Sequence, residues 1–216
     1  MFSSVTTTGA ILAMLQVLPA VAAPTVANRD ASPIPGYGIE ELIWEVETTP
    51  GGPTVNITGT VENVYEELEK INPTFVSDFR LDDPDNSPSL AAPVKSRGYT
   101  IQSFNCNVYD YASLKAIQAG LVYLNGVPGK PSNGPGPGNC GRVSCSYNSA
   151  IYWCNDNTFT KTIDTFGYIS GAAQSIINHC GTESHFTPVG GASELATKGK
   201  VFMTDKWNVI IRYDKC

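Results

Sequence analysis

Charge, histidine and long apolar runs are all scarce in this chain of 216 residues. Charged residues make up 16% of it, against roughly 25% in ordinary soluble domains. The formal net charge is −6. That balance argues against a nucleic-acid partner, because such binding is driven by cations meeting phosphates. The 2 His show no Cys–His spacing of the zinc type, so no metal site is implied. A Gly-x-Ser-x-Gly hydrolase elbow and a G-K-[ST] phosphate cradle are both absent, and no motif calls for a cofactor. Beyond the N-terminal region no stretch is long and apolar enough to anchor in a bilayer, so stable membrane insertion is not expected. No cysteine precedes Cys106.

What is present divides into three unlike parts. Residues Ala10 to Ala22 are apolar apart from Gln16, a run shorter than the roughly 20 residues that cross a bilayer. It ends in Ala20-Val21-Ala22, the small-x-small pattern of signal peptidase. Residues 1–22 therefore read as a signal peptide cut after Ala22, and the protein as secreted and extracellular. In an oxidising compartment an even cysteine count implies disulfides. Cys106, Cys140, Cys145, Cys154, Cys180 and Cys216 allow about 15 pairings, and the sequence does not choose among them. The terminal position of Cys216 suggests that a bridge pins the last strand, which would otherwise fray.

Residues 23–97 form an acidic pro-region or accessory module with a linker. From Pro24 to Arg97 there are 13 acids and 5 bases, a net of −8. Leu42, Trp44 and Val46 alternate with Glu41, Glu45 and Glu47 as a strand would. Pro50-Gly51-Gly52-Pro53 is a turn, and Thr54 to Thr58 a second strand. Thr60 can cap a helix carrying Val61, Val64, Tyr65, Leu68 and Ile71 at helical spacing, stopped by Pro73. The expectation is a small ββα unit. Asn56-Ile57-Thr58 is an N-glycosylation sequon, so Asn56 should face water. Ser77 to Pro93 reads as a linker, ending in Lys95-Ser96-Arg97. Cleavage near Arg97 would leave residues 98–216 as the mature product; the alternative is an uncut two-module protein.

Residues 98–216 carry all six cysteines and 7 acids against 9 bases. Tyr99 to Val108 reads as a strand. Asp110 can cap a helix to Asn125, with Leu114, Ile117, Leu121 and Leu124 on one stripe. The Gly- and Pro-rich run Gly126 to Asn139 reads as a mobile or target-contacting loop. Arg142 to Cys154 is one long strand, or a hairpin turning at Asn148-Ser149. A second helix starts near Thr162 or Asp164, buries Ile169, Ala172, Ala173, Ile176 and Ile177, and ends at Gly181. Gly199–Thr204 and Trp207–Tyr213 are strands joined at Asp205-Lys206. The fold class is α+β: an antiparallel sheet covered on one face by two helices, an α/β sandwich held by disulfides.

Candidate chemistry is sparse. His179 and His185, with Glu183 between them, could serve a secreted ribonuclease as general acid and base; otherwise they are a helix-end and a loop histidine. Asp156, between two Asn, reads as a turn or as a metal or sugar contact. Trp153, Trp207, Tyr147 and Tyr152 are either core or an aromatic platform for carbohydrate. Lys198, Lys200 and Lys206 concentrate charge on the last two strands, with Lys198 and Lys200 on an outer face, and are candidate contacts to an acidic extracellular target.

The string Ile169 to Cys180 (ISGAAQSIINHC), then Val189-Gly190-Gly191, then Trp207 to Cys216 (WNVIIRYDKC) resembles the C-terminal half of fungal killer-toxin-like secreted proteins. The resemblance covers about half of residues 98–216. It implies a disulfide-rich α/β sandwich with an antagonistic or host-directed role. The best-known toxin has more cysteines, and its basic loop has no counterpart here, so no functional residue carries over. The reading is a secreted protein that binds a cell surface, channel or wall component, more a binder than an enzyme. The alternatives are a small hydrolase such as a ribonuclease, or a cell-wall structural protein.

Overall fold

The computed structural model describes residues 32–81, 98–186 and 193–216. The expected signal peptide with Ala22, the basic spot at Arg97 and most of the linker lie outside these. The elements run β1 (Gly38–Glu40), β2 (Ile43–Glu47), β3 (Thr54–Thr58), α1 (Val61–Ile71), α2 (Phe75–Asp78), β4 (Ile101–Asn105), β5 (Ala112–Ser113), α3 (Leu114–Gly126) and β6 (Ser132–Asn133). They continue as β7 (Asn139–Ser146), β8 (Ser149–Asn155), β9 (Lys161–Thr162), α4 (Gly167–Cys180), β10 (Glu183–Phe186), β11 (Glu194–Thr197), β12 (Gly199–Met203) and β13 (Trp207–Tyr213). The class is α+β.

The central sheet has 6 strands in the order β1-β7-β8-β13-β12-β4. Its pairs are antiparallel except β1 on β7, which is parallel. The β7–β8 hairpin turns at Tyr147-Asn148, one residue earlier than the sequence suggests. Both residues take positive φ, 47° and 55°, which matches the twist a two-residue hairpin needs. Lys206 at the β12–β13 turn is likewise left-handed, at φ 59°.

Helices α3 and α4 lie side by side on the inner face. Their stripes, Ile117, Leu121 and Leu124 with Ile169, Ala172, Ala173 and Ile176, join Val143, Ile151, Trp153, Val201, Val209 and Ile211 in one core. The cap of α3 is Ser113, whose hydroxyl accepts from the Ala116 N–H, and not Asp110: β5 carries the chain past Asp110 and pairs Ala112 and Ser113 with β11 first.

The ββα unit forms as its periodicity dictates. Leu42, Trp44 and Val46 are buried on one side of β2. Asn63 closes the first turn of α1 by accepting from the Thr60 N–H. The unit does not stand apart. Leu42, Trp44, Val46, Ile57, Val61, Val64, Leu68 and Phe75 belong to the same core as α3, α4 and the sheet. The expected linker also starts late, since Ser77 lies in α2 and Phe79 and Leu81 pack against that core. Ile71, placed on the apolar stripe by its spacing, is 53% exposed because α1 ends there.

The outer face of the sheet is covered too. Cys140, Ala150, Tyr152, Cys154 and Ile210 bury against Ile34, with Tyr37 and Ile39 beside them. All 7 residues of β8 are buried as a result. Two-sided burial is what a strand in mid-sheet shows when both faces are covered.

Candidate functional site

The six cysteines pair as Cys106–Cys180, Cys140–Cys154 and Cys145–Cys216. The first ties β4 to the end of α4. The second crosses the β7–β8 hairpin. The third anchors the C-terminal residue to β7. Around that last bridge Arg142 donates to the Lys215 carbonyl, and the Tyr152 hydroxyl donates to Asp214.

The run Gly126 to Asn139 is not a free loop. Asn133 is fully buried and donates to the Trp153 carbonyl at 2.9 Å. Asn155 donates to the carbonyls of Gly134 at 2.8 Å and Phe159 at 2.7 Å. Gly136 and Gly138 donate to Asn157 and Asn155. Buried asparagines supply the partners that an irregular segment lacks, which overrides the mobility its composition implies. The same residues settle the Asn155-Asp156-Asn157 run as a scaffold. Asn157 donates to the carbonyls of Asp205 and Lys206, holding the 156–160 loop and the β12–β13 turn together. That end of the sheet presents Phe159, 62% exposed, together with exposed Lys206. Lys161 there pairs with Asp205 at 2.6 Å.

The three candidate lysines separate. Lys206 is exposed. Lys198 is half-buried, its ammonium 4.2 Å from the centre of the Tyr111 ring. Lys200 is only 6% exposed, which corrects its placement in solvent. Alternation does put it on the outer face, but the chain at residues 32–40 covers that face. Its Nζ donates to the Tyr37 hydroxyl at 2.7 Å and lies near the Tyr37 and Phe202 rings. Asn208, fully buried, donates to the same hydroxyl at 3.2 Å and to Asp156 at 2.7 Å. Burial pulls the Lys200 ammonium down to about 8, against a smaller upward pull from Asp156. Burial, then Asp156, pushes the Tyr37 phenol well above its ordinary value.

His179 is exposed at the end of α4 and stacks on Phe104, ring centres 4.0 Å apart; the side chain of His185 lies outside the described residues. Trp153 and Trp207 are buried, at 0% and 1% exposure, and Tyr152 is buried beneath the 32–40 segment. Only Tyr147 of that aromatic set is exposed, so no platform forms. Among the described residues no three His, Cys, Asp or Glu side chains gather as a metal would need. Asn56 is exposed on β3, beside shallow clefts of about 580 and 410 Å³ lined by Glu41, Glu67 and Glu45.

Tyr37, Asn208 and Glu62 are the structurally important polar residues that local reading passed over. Each meets a partner across at least 82 residues of sequence, and no short-range spacing signals such a pair. No family model, curated protein or solved structure matches this chain.

Proposed function

We propose that this is a secreted protein that acts by binding a target outside the cell, an antagonist or host-directed effector of the killer-toxin-like kind. The observation that carries the reading is that all six cysteines are bridged, two of the bridges spanning 74 and 71 residues. Closing long loops restricts the unfolded chain and suits a protein that must persist outside the cell. The two loops at one end of the sheet supply the contact surface. Asn155 and Asn157 fix them, and they present Phe159 with Lys206: an aromatic and a cation held on a rigid base, as binding anchors are. Lys198 and Lys200 leave the contact set, because each is engaged by an aromatic ring of its own chain.

The test uses the protein purified from culture medium. Phe159→Ser and Lys206→Glu are expected to cut binding to target cells about tenfold or more each, with thermal stability unchanged. Unchanged binding in both variants refutes this contact surface. RNA cleavage by the wild type that disappears in His179→Ala, His185→Ala would instead establish the ribonuclease alternative. Retention in the producer's wall after detergent extraction would establish a structural role.

A further inference from the structure

The three disulfides all join residues within 106–216. No bridge ties residues 32–81 to the rest, and the one covalent path between the two parts is the chain from 82 to 97. Yet the front part packs into the core, covers the outer face of the sheet and pairs with its β7 edge. Trp44 stacks on Phe166 with ring centres 4.3 Å apart and planes at 10°. Its indole N–H donates to Gly59 within the front part, so the ring is presented with no orphaned donor.

Three glycines of the back part are shaped as seats. A Cβ on Gly141 would collide with Leu42, one on Gly126 with the Tyr65 hydroxyl, and one on Gly129 with the Glu45 carbonyl. Strand β1 adds to the edge of β7 through Gly38, Ile39 and Glu40, covering backbone groups that would otherwise recruit another chain.

The polar contacts are placed as carefully. Glu62 accepts from the Ser144 hydroxyl at 2.6 Å and from the Cys145 N–H at 3.2 Å. Glu40 accepts from the Gly134 N–H at 2.5 Å. Tyr65 donates to the Tyr123 carbonyl. On the outer face Ile34 is fully buried, Tyr37 accepts from Lys200 and Asn208, and Arg212 donates to the Pro33 carbonyl. The two parts also differ in charge sign, −8 for Pro24–Arg97 against +2 for Gly98–Cys216.

We propose that residues 32–81 are a permanent, non-covalently docked subunit of the working protein: a cut in the connecting chain produces a two-chain complex, not a free domain of residues 98–216. The partner for the Phe166–Gly141–Ser144 surface is the chain's own front part. A departed front part would uncover Phe166 and the side of Tyr123 that meets Tyr65 on one side of the sheet, and Tyr152 and Ile210, packed with Ile34, on the other, apolar surface that a secreted monomer does not leave open. The docking does not depend on which target the protein binds.

The experiment cuts the protein after it has folded. A site-specific protease sequence is inserted after Ser87 in the full chain, and the oxidised protein is cut to completion. It is then diluted to about 1 µM, roughly a thousandfold below the millimolar effective concentration that a short tether supplies. The expected result is one species at the uncut retention volume on native size exclusion, which resolves into two chains on non-reducing denaturing gels. Two separate species on the native column would overturn the proposal. A second variant, Glu62→Ala, is shown to be folded in the uncut chain by circular dichroism. After cutting it should dissociate at least tenfold more readily, because it loses two charge-assisted bonds. Equal dissociation of cut Glu62→Ala and cut parent would also overturn the docking described here.

Discussion

Replacing Trp44 by Ala tests whether the front and back parts fold as one unit. The side chain is fully buried, stacked on Phe166, and surrounded by core from both parts. Burying an aromatic of roughly 200 Å² at about 25 cal/mol per Å² gives an upper figure of about 5 kcal/mol. Measured Trp-to-Ala truncations in cores fall at about 3–5 kcal/mol. About 4 kcal/mol is therefore expected, a large share of the roughly 5–15 kcal/mol that holds a domain folded. With a urea slope of about 2 kcal/mol per M, the midpoint should fall by about 2 M. The assay is urea unfolding of the oxidised protein, followed by far-ultraviolet circular dichroism and by tryptophan fluorescence. The variant keeps only Trp153 and Trp207, both in the sheet, so its fluorescence reports the back part alone. One cooperative unit predicts that the two probes coincide and shift together. A dichroism change with the Trp153 and Trp207 fluorescence midpoint unmoved would refute the reasoning, since the back part would then be indifferent to the front. Tyr147→Ala, at a hairpin tip 87% exposed, serves as the control and should change stability by less than about 0.5 kcal/mol.

The pH profile should show a rise and then a fall. Lys200 holds its proton more weakly folded than unfolded, with a folded value of about 8 against 10.5. Its penalty is complete below about 8 and is relieved as pH climbs towards 10.5, at a slope of at most about 1.4 kcal/mol per pH unit; Lys200→Met should abolish that rise in a series of thermal melts. Buried Tyr99, raised to about 12 from 10 by desolvation and then Tyr168, acts in the opposite sense: its contribution is complete below 10 and is lost as pH rises to about 12. Removing Cys145–Cys216 by double Ala substitution should cost about 4 kcal/mol, and removing Cys140–Cys154 about 3 kcal/mol, by the loop-closure relation for loops of these lengths; a larger loss from the shorter loop on urea unfolding would contradict it. Gly141→Ala should destabilise by about 1–3 kcal/mol, because the new methyl would lie within 2.6 Å of three Leu42 carbons and Leu42 must shift to admit it, and Leu42→Ala introduced alongside should restore part of that loss.

Periodicity placed the longer helices and strands, and missed the short strands β1, β5, β6, β9, β10 and β11 and the helix α2. The alternation of Leu42, Trp44 and Val46, the stripe Ile169–Ala172–Ala173–Ile176, the Pro-Gly-Gly-Pro turn and the terminal strand pair all stand where local pattern puts them, since side-chain spacing along a strand or helix is set by backbone geometry within a few residues. Composition likewise marked the chain as disulfide-bonded. Which cysteine meets which, whether Lys200 sees solvent, and whether the Gly–Pro run is held or loose were decided by residues far away in sequence: Cys216 finds Cys145, Tyr37 covers Lys200, and Asn133 and Asn155 tie down the loop. The acidic front segment reads as separable by charge and by its missing cysteines, but Trp44, Leu42 and Glu62 reach into seats made by Phe166, Gly141 and Ser144. A local pattern tells a residue which side of its own element it occupies. What lies against that side depends on the whole chain closing up, because burial is a property of the assembled layers and not of any one of them.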